Sequence, residues 1–279
     1  MKNQELSLRE IQEEALKILV KIDEICQKEH LKYFLAYGSL IGAVRNNGII
    51  PWDDDIDIMM PRKDYDKLEK YFLEHALELA PLQIFSPNSL KDYPYMINRI
   101  SNCDFYIDKE NEKDYGLGIF VDIYPLDALG NSLKEAEKRK RISCRYASLC
   151  YLSTREKYTR DNTKSNLKML IKLPAFWVAK IIGKNYFFRK LSGLSELQDY
   201  SDASYVGCVV WAADDGYKGV FEKKWVGEGK RHFFEGYNLM IPDDYDSILK
   251  KLYHEYMTPP PENERTGNHY YKAYRRNQS

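Results

Sequence analysis

Residues 33–60 read YFLAYGSLIGAVRNNGIIPWDDDIDIMM, and this stretch decides the fold. It opens with an apolar run of strand length, which ends at Gly38 and Ser39. Residues 40–45 have the composition of a short helix, and residues 46–48, Asn-Asn-Gly, predict a turn. The pattern therefore predicts a strand, a glycine-serine loop, a helical segment and a turn ahead of a group of acidic residues.

Four aspartates follow the turn, and we expect them to lie on a second strand: Asp53, Asp54, Asp55 and Asp57. Strand side chains alternate between the faces of a sheet, so Asp55 and Asp57 are expected to point the same way and Asp54 elsewhere. Carboxylates on one face repel each other, and a hard, oxygen-preferring cation suits them: Mg²⁺, with Mn²⁺ as the alternative. A solvated acidic turn is the competing interpretation. The isoleucines between these acids favour a pocket edge instead.

Ser39 follows a glycine at the start of the helical segment, so it offers backbone N–H groups and a hydroxyl to an anion. A phosphate-binding loop beside a metal-binding acidic pair is the equipment of phosphoryl or nucleotidyl transfer. The first candidate phosphate ligands are therefore Gly38 and Ser39.

Further along the chain, residues 119–124 form an apolar run that a single acid, Asp122, interrupts. A lone carboxylate in such a strand is costly unless it is paired or bound to a metal. Arg99 also lies between apolar neighbours and needs an anionic partner, either a core carboxylate or a substrate phosphate. We expect Asp127 in a turn or at a helix start, and Arg62 on the surface of a helix start.

The formal net charge is zero, which argues against a general nucleic-acid binder. The segment 134–191 nevertheless carries sixteen Lys/Arg against four Asp/Glu. Within it, residues 166–191 mix aromatic and basic side chains, as in a helix that lies in a membrane interface, and Pro174 is expected to kink or split it. A helix docked on the core with its lysines in water is the alternative.

Five scattered cysteines, a polar N-terminus and the lack of a long uncharged apolar stretch predict a cytoplasmic protein. With the basic segment, the prediction extends to peripheral contact with the inner face of the cell membrane.

The motifs Tyr-Gly-Ser-Leu (37–40), Gly-Ala-Val-Arg (42–45) and Ile-Pro-Trp-Asp-Asp-Asp-Ile-Asp (50–57) closely resemble those of the LicD family, within the nucleotidyltransferase superfamily. The resemblance implies an α/β (α+β) fold, a nucleotidyltransferase-like mixed sheet flanked by helices with a basic helical insertion. It places the catalytic core at residues 1–133, the insertion at 134–200, and a segment that completes the core and substrate site at 201–279.

The resemblance also implies roles for particular residues. The superfamily has a third active-site acid on a later strand, which makes Asp122 the partner of Asp55 and Asp57 as catalytic residue and metal ligand. Arg45 lies in the resembling motif and joins the phosphate-binding residues. The arginine and histidine that close the family pattern correspond to Arg265 and His269, which with Arg99 are the candidate substrate-binding residues.

The activity that the resemblance implies is transfer of a phospho-alcohol, most typically phosphocholine, from a CDP-linked donor. The acceptor is a hydroxyl of a cell-surface glycan such as teichoic acid, capsule or lipopolysaccharide, or a lipid-linked glycan. Two alternatives stay open: a nucleotidyltransferase that moves a nucleoside monophosphate, and a non-catalytic glycan-binding protein on the same fold.

Overall fold

The computed structural model describes residues 5–91, 93–109, 113–158, 166–211, 217–265 and 271–276, with the backbone alone for 166–172. The helices are α1 Leu8–Lys28, α2 Tyr37–Ile41, α3 Arg62–Glu74, α4 Ala76–Leu79, α5 Leu133–Thr154, α6 Asn166–Ile182, α7 Lys184–Ser195, α8 Lys223–Val226 and α9 Tyr245–Tyr253. The strands are β1 Phe34–Leu35, β2 Asp57–Pro61, β3 Leu82–Phe85, β4 Asn98–Asn102, β5 Phe105–Lys109, β6 Ile119–Gly130, β7 Tyr205–Gly207, β8 Phe221–Glu222, β9 Lys230–Phe234, β10 Tyr237–Ile241 and β11 Tyr271–Arg275.

The central sheet is built around β6, the longest of these strands and buried along its whole length. The sheet order is β1-β2-β6-β4-β3, and β7 pairs with the second half of β6 and with β8. β2 runs parallel to β6, whereas β4 runs antiparallel to it. The predicted mixed sheet flanked by helices is therefore confirmed, and any side chain at the middle of β6 lies beside β2 on one side and β4 on the other.

α1 is an amphipathic helix with a capped N-terminus. Ser7 caps it by accepting a hydrogen bond from the Glu10 backbone N–H, and the Glu10 carboxylate accepts one from Ser7 N in return. Its apolar face packs against β4 and β6. Along that face Ile18, Leu19 and Ile22 are at most 1% exposed, so the helix covers one side of the sheet.

Three helices form a layer beside the sheet. α5 packs on β6, and both α6 and α7 pack on α5. Pro174 was expected to kink or split the basic segment, and the split is wrong: α6 continues through Pro174 and ends before Gly183. The break falls at Gly183, whose φ of 80° suits glycine and not other residues. Within the described residues, none of the helices has the length and apolar character that crossing a bilayer requires.

Candidate active site

The acidic motif is a loop and not a strand, because β2 begins only at Asp57. Asp53, Asp54 and Asp55 precede it in irregular backbone, where strand alternation does not apply. Each of these three offers a carboxylate oxygen within 4.8 Å of the others. The expectation that Asp54 points away from its neighbours is therefore wrong, because Asp53, Asp54 and Asp55 form one acidic group.

The glycine-serine pair holds this loop in place. A Cβ atom at position 38 would lie 2.5 Å from Asp53 Oδ2, so Gly38 lets that carboxylate approach the backbone. Ser39 is buried, and its hydroxyl oxygen accepts a hydrogen bond from Asp57 N at 2.9 Å. The pair thus fixes the position of two acids. The phosphate-binding role of Gly38 and Ser39 stays a prediction.

More distant side chains also support the loop through its backbone carbonyls. Gln12 Nε2, from α1, donates to Asp53 O at 2.7 Å. The Tyr271 hydroxyl, from β11, donates to Asp54 O at 3.0 Å. Helix α1 and strand β11 therefore both hold the irregular loop in place.

Three charged residues lie side by side across the central sheet. Asp57 on β2 is opposite Asp122 on β6, and Asp122 is opposite Arg99 on β4. Arg99 Nε donates to Asp122 Oδ1 at 2.5 Å and Nη2 to Oδ2 at 3.3 Å. The guanidinium carbon lies 4.2 Å from the ring centroid of Tyr95 and 4.5 Å from that of Phe120. Of the two partners left open for Arg99, the structure shows a core carboxylate.

Asp57 carries the charge that the fold leaves uncompensated. Burial raises the pKa of this carboxyl well above its ordinary value, and Asp55, Asp122 and Asp53 raise it further, while Arg99 opposes them. Within the described residues, Asp57 Oδ1 is buried and has no hydrogen-bond partner. A buried, unsatisfied carboxylate oxygen costs free energy, so this position favours a proton or a bound cation.

These carboxylates fit a hard divalent cation, which takes oxygen ligands in groups. The observations that support the fit are the open Oδ1 of Asp57 and the convergence of three acidic oxygens just before it. Asp55 and Asp57 therefore remain suitable ligands. Asp122 has both oxygens bonded to Arg99, and its role as a ligand stays a prediction.

Arg45 and Arg265 lie on the same indole ring. Their guanidinium carbons are 5.9 Å and 5.2 Å from the Trp52 ring centroid. Burial lowers the pKa of Arg45, and the positive charge of Arg265 lowers it further. Arg45 Nη1 donates to Tyr256 O at 2.9 Å. Because a backbone carbonyl has no formal charge, this contact does not neutralise the charge of Arg45. His269 lies outside the described residues.

The second acid of β6 has a structural partner. Asp127 lies within the strand and is fully buried, with Arg62 Nε at 2.7 Å from Oδ1 and Val209 N at 3.1 Å from Oδ2. The expectations of a turn for Asp127 and of a surface position for Arg62 are both wrong. Because β6 is twice as long as expected, its second acid lies in the core.

A mixed sheet that presents a glycine-serine loop, an acidic loop and a further acid on its central strand defines a phosphotransferase with a nucleotidyltransferase-like core. Residues 30–141 match a family model described as "LicD/FKTN/FKRP, nucleotidyltransferase domain".

Two relatives illustrate the range of similarity. The chain is 28% identical over 274 residues to "Lipopolysaccharide cholinephosphotransferase LicD" of Haemophilus influenzae, which covers 96% of this chain and 98% of that protein. It is also 28% identical over 162 residues to an uncharacterized protein of Rickettsia typhi, covering 49% of this chain and 51% of the relative.

Proposed function

We propose that this chain transfers phosphocholine from a CDP-linked donor to a hydroxyl of a cell-surface glycan, with Mg²⁺ as cofactor. The observation that carries the proposal is the uncompensated carboxylate of Asp57 beside the acidic loop, within a LicD-family domain. The choice of phosphocholine and of a glycan acceptor rests on similarity over nearly the whole chain to the lipopolysaccharide cholinephosphotransferase.

The donor's diphosphate is assigned to the two arginines on Trp52. Arg45 and Arg265 repel each other, which is the arrangement that an anion between them would stabilise. Arg265 forms an ion pair with Glu262 at 3.8 Å, and the Glu262 side chain is 91% exposed, so water screens that ion pair. An incoming diphosphate would replace weak protein contacts with charge-assisted hydrogen bonds.

Asp57 and the loop acids Asp53, Asp54 and Asp55 would hold Mg²⁺ between them. When bound, the ion neutralises charge on the phosphate oxygens. Asp122 has a fixed orientation through Arg99, and we assign it to accept the proton of the attacking sugar hydroxyl. The oxygen–phosphorus bond to the acceptor forms, the bond to the nucleotide breaks, and CMP leaves with the bonding electrons.

We also propose that α6 rests on the membrane surface where the acceptor is assembled. Its exposed side chains include Trp177 at 59%, Val178 at 51% and Ile181 at 83%, next to Lys180. An apolar face with aromatic and basic residues fits the interface of an anionic bilayer. Ile181→Ser should weaken co-sedimentation with phosphatidylglycerol vesicles without changing the melting temperature. Equal binding of wild type and Ile181→Ser to the vesicles would contradict a membrane contact through α6.

A thermal-shift screen with and without Mg²⁺ tests the function, using CDP-choline, CDP-ribitol, CDP-glycerol, CTP, UTP and ATP. A ligand at about 100 times its Kd adds roughly 2.7 kcal/mol to the free energy of unfolding. We expect Mg²⁺-dependent stabilisation by CDP-choline. Stabilisation by a nucleoside triphosphate alone would favour nucleotidyl transfer, and no response to any compound would favour a glycan-binding protein.

A product analysis then separates the two transfer reactions. With CDP-choline as donor and lipooligosaccharide as acceptor, the acceptor should gain the mass of phosphocholine and CMP should appear. A gain of the mass of CMP would instead show that the chain moves the nucleotide half of the donor.

A further inference from the structure

Aromatic side chains lie on the same face of the sheet as the acids. Tyr124 is two residues beyond Asp122 on β6, so both side chains point to one face. The Tyr37 ring lies edge-on to Tyr124 with centroids 5.0 Å apart, and the Trp211 ring lies edge-on to Tyr124 at 5.7 Å. We call these three rings the aromatic group.

Tyr37 has a backbone conformation that a bulky side chain rarely adopts, with φ of 46°. Such a conformation persists only when its surroundings determine it, and it is often found at functional sites. Here the next residue is Gly38, against which the Asp53 carboxylate packs. The strained position therefore places an aromatic ring directly beside the acidic loop.

Two rings of the aromatic group are accessible to a small ligand, while Tyr124 is buried behind them. Tyr37 and Trp211 are both partly exposed. A further ring, Tyr253 at the end of α9, is 40% exposed, and α9 packs against α2. Burial raises the pKa of Tyr253, and so do Asp57 and two acids of the loop, which indicates that its hydroxyl lies near the carboxylates.

The chemistry of the donor limits where its head group can lie. In phosphocholine only an oxygen and two carbons join the phosphorus to the quaternary nitrogen. The trimethylammonium group must therefore lie close to the acids that would hold Mg²⁺ at the reacting phosphate. A quaternary ammonium has no N–H to donate, so aromatic faces and carboxylates are the groups that recognise it, at about 0.5–2 kcal/mol for each cation–π contact.

We propose that Tyr37, Tyr124 and Trp211, with Tyr253 at the rim, bind the quaternary ammonium group of the donor's choline. This assignment rests on the proposed function and adds to it the residues that select choline over other alcohols.

A second group of tyrosines provides a matched comparison. A cavity of about 180 Å³ is lined by Tyr93, Tyr95, Tyr106 and Tyr115, together with Arg99 and Lys113. Asp108 and Asp114 line it too, so it holds carboxylates as well as cations. Its Tyr95 ring lies 6.3 Å from the Trp211 ring, whereas the Tyr115 ring lies beside that of Tyr93. We assign choline to the aromatic group because Tyr37 adjoins the acidic loop through Gly38, and Tyr115 serves as the control.

The test compares CDP-choline with its neutral isostere, the CDP ester of 3,3-dimethylbutanol, in which carbon replaces the charged nitrogen. The quantity measured is the ratio of kcat/KM for the two donors. Trp211→Leu should lower this ratio about tenfold, whereas Trp211→Phe, which keeps an aromatic face, should keep most of it. Tyr253→Leu, at a half-exposed position, provides a second variant, and Tyr115→Leu in the tyrosine-lined cavity is the control with an unchanged ratio.

An unchanged ratio in folded Trp211→Leu and Tyr253→Leu, or a loss of selectivity in Tyr115→Leu alone, would overturn the assignment while leaving phosphocholine transfer intact. Calorimetric titration with tetramethylammonium chloride at constant ionic strength tests the choline site independently of the proposed transfer reaction. If wild type transfers no phosphocholine, the proposed function fails. The site still stands if wild type binds tetramethylammonium and Trp211→Leu does not, and it falls if neither protein binds it.

Discussion

Asp57 and Asp127 are both buried aspartates of the central sheet, yet their replacement by asparagine should change stability in opposite directions. Asp127 accepts hydrogen bonds from Arg62 and from Val209 N. Asp127→Asn leaves the Arg62 guanidinium without its charged partner, which costs about 3 kcal/mol. Asp57 is 8% exposed and has an oxygen without a partner in the described part of the chain. Asp57→Asn removes the charge of this side chain and the repulsion by the neighbouring carboxylates, so it should stabilise the fold.

In metal-free buffer near pH 8, Asp57→Asn should raise the free energy of unfolding by about 1–3 kcal/mol, because the neutral amide does not bury a charge beside other carboxylates. For a chain of this size that is about 2 °C in Tm per kcal/mol. Burial and neighbouring carboxylates raise the pKa of Asp57 in the folded protein. Its protonation therefore contributes stability that is fully present below the unfolded pKa and is lost as pH rises through the folded pKa. The advantage of Asp57→Asn should vanish at acidic pH and grow as the pH rises.

Mg²⁺ should reverse the order of the two proteins. At about 100 times its Kd, the ion adds roughly 2.7 kcal/mol to wild type but little to Asp57→Asn, which should also lose at least about a thousandfold in turnover. Thermal unfolding over a pH series, with EDTA or with Mg²⁺, measures the stabilities, and an assay of CMP release from CDP-choline measures the turnover. The reasoning is refuted if Asp57→Asn is destabilised like Asp127→Asn in metal-free buffer, or if it keeps the stabilisation by Mg²⁺.

Three further changes test the surroundings of this site. Gly38→Ala places a Cβ against the Asp53 carboxylate, which lies at the end of a movable side chain. Mg²⁺ affinity should therefore fall about tenfold with little change in Tm. An unchanged affinity in a Mg²⁺ titration would contradict the contact. Arg99→Met leaves Asp122 as a buried unpaired charge and should cost about 3–5 kcal/mol in urea unfolding, part of which Asp122→Asn in the same chain should restore. Arg265→Ala should raise KM for CDP-choline about tenfold while Mg²⁺ affinity stays constant, and a loss of Mg²⁺ binding would place Arg265 elsewhere.

The sequence alone predicts the frame of the site because its signals are local. The spacing from the glycine-serine pair to Asp57 and the single acid Asp122 in an apolar run are both readable within one segment. The residue at which β2 begins cannot be predicted from one segment, because three consecutive aspartates satisfy a strand pattern and a loop pattern equally well. The acidic loop departs from strand geometry at Asp53 and Asp54, where Gln12 and Tyr271 bind its carbonyls from distant parts of the chain.

Contacts between strands far apart in sequence were also beyond the local pattern. The apolar neighbours of Arg99 in the sequence indicate that it needs an anionic partner. The register of β4 on β6 is what shows that Asp122 is that partner. In the same way, Arg62 and Asp127 meet because β6 continues through Pro125 to Gly130. Proline within a run usually argues against a continuing strand, so the local signal pointed to a turn there.

The arrangement of arginines explains why the proposed cation is assigned to one place. Each buried acid of β6 has a guanidinium of its own, Arg99 for Asp122 and Arg62 for Asp127. Asp57 lies opposite Asp122 and receives only the residual field of Arg99, which does not offset burial and the neighbouring carboxylates. A third arginine would balance the charge permanently and make Asp57 a structural residue like Asp127. Because the fold leaves that balance open, the metal-free protein gives up stability at Asp57, and a divalent cation that restores it would be bound where the phosphate must also be held.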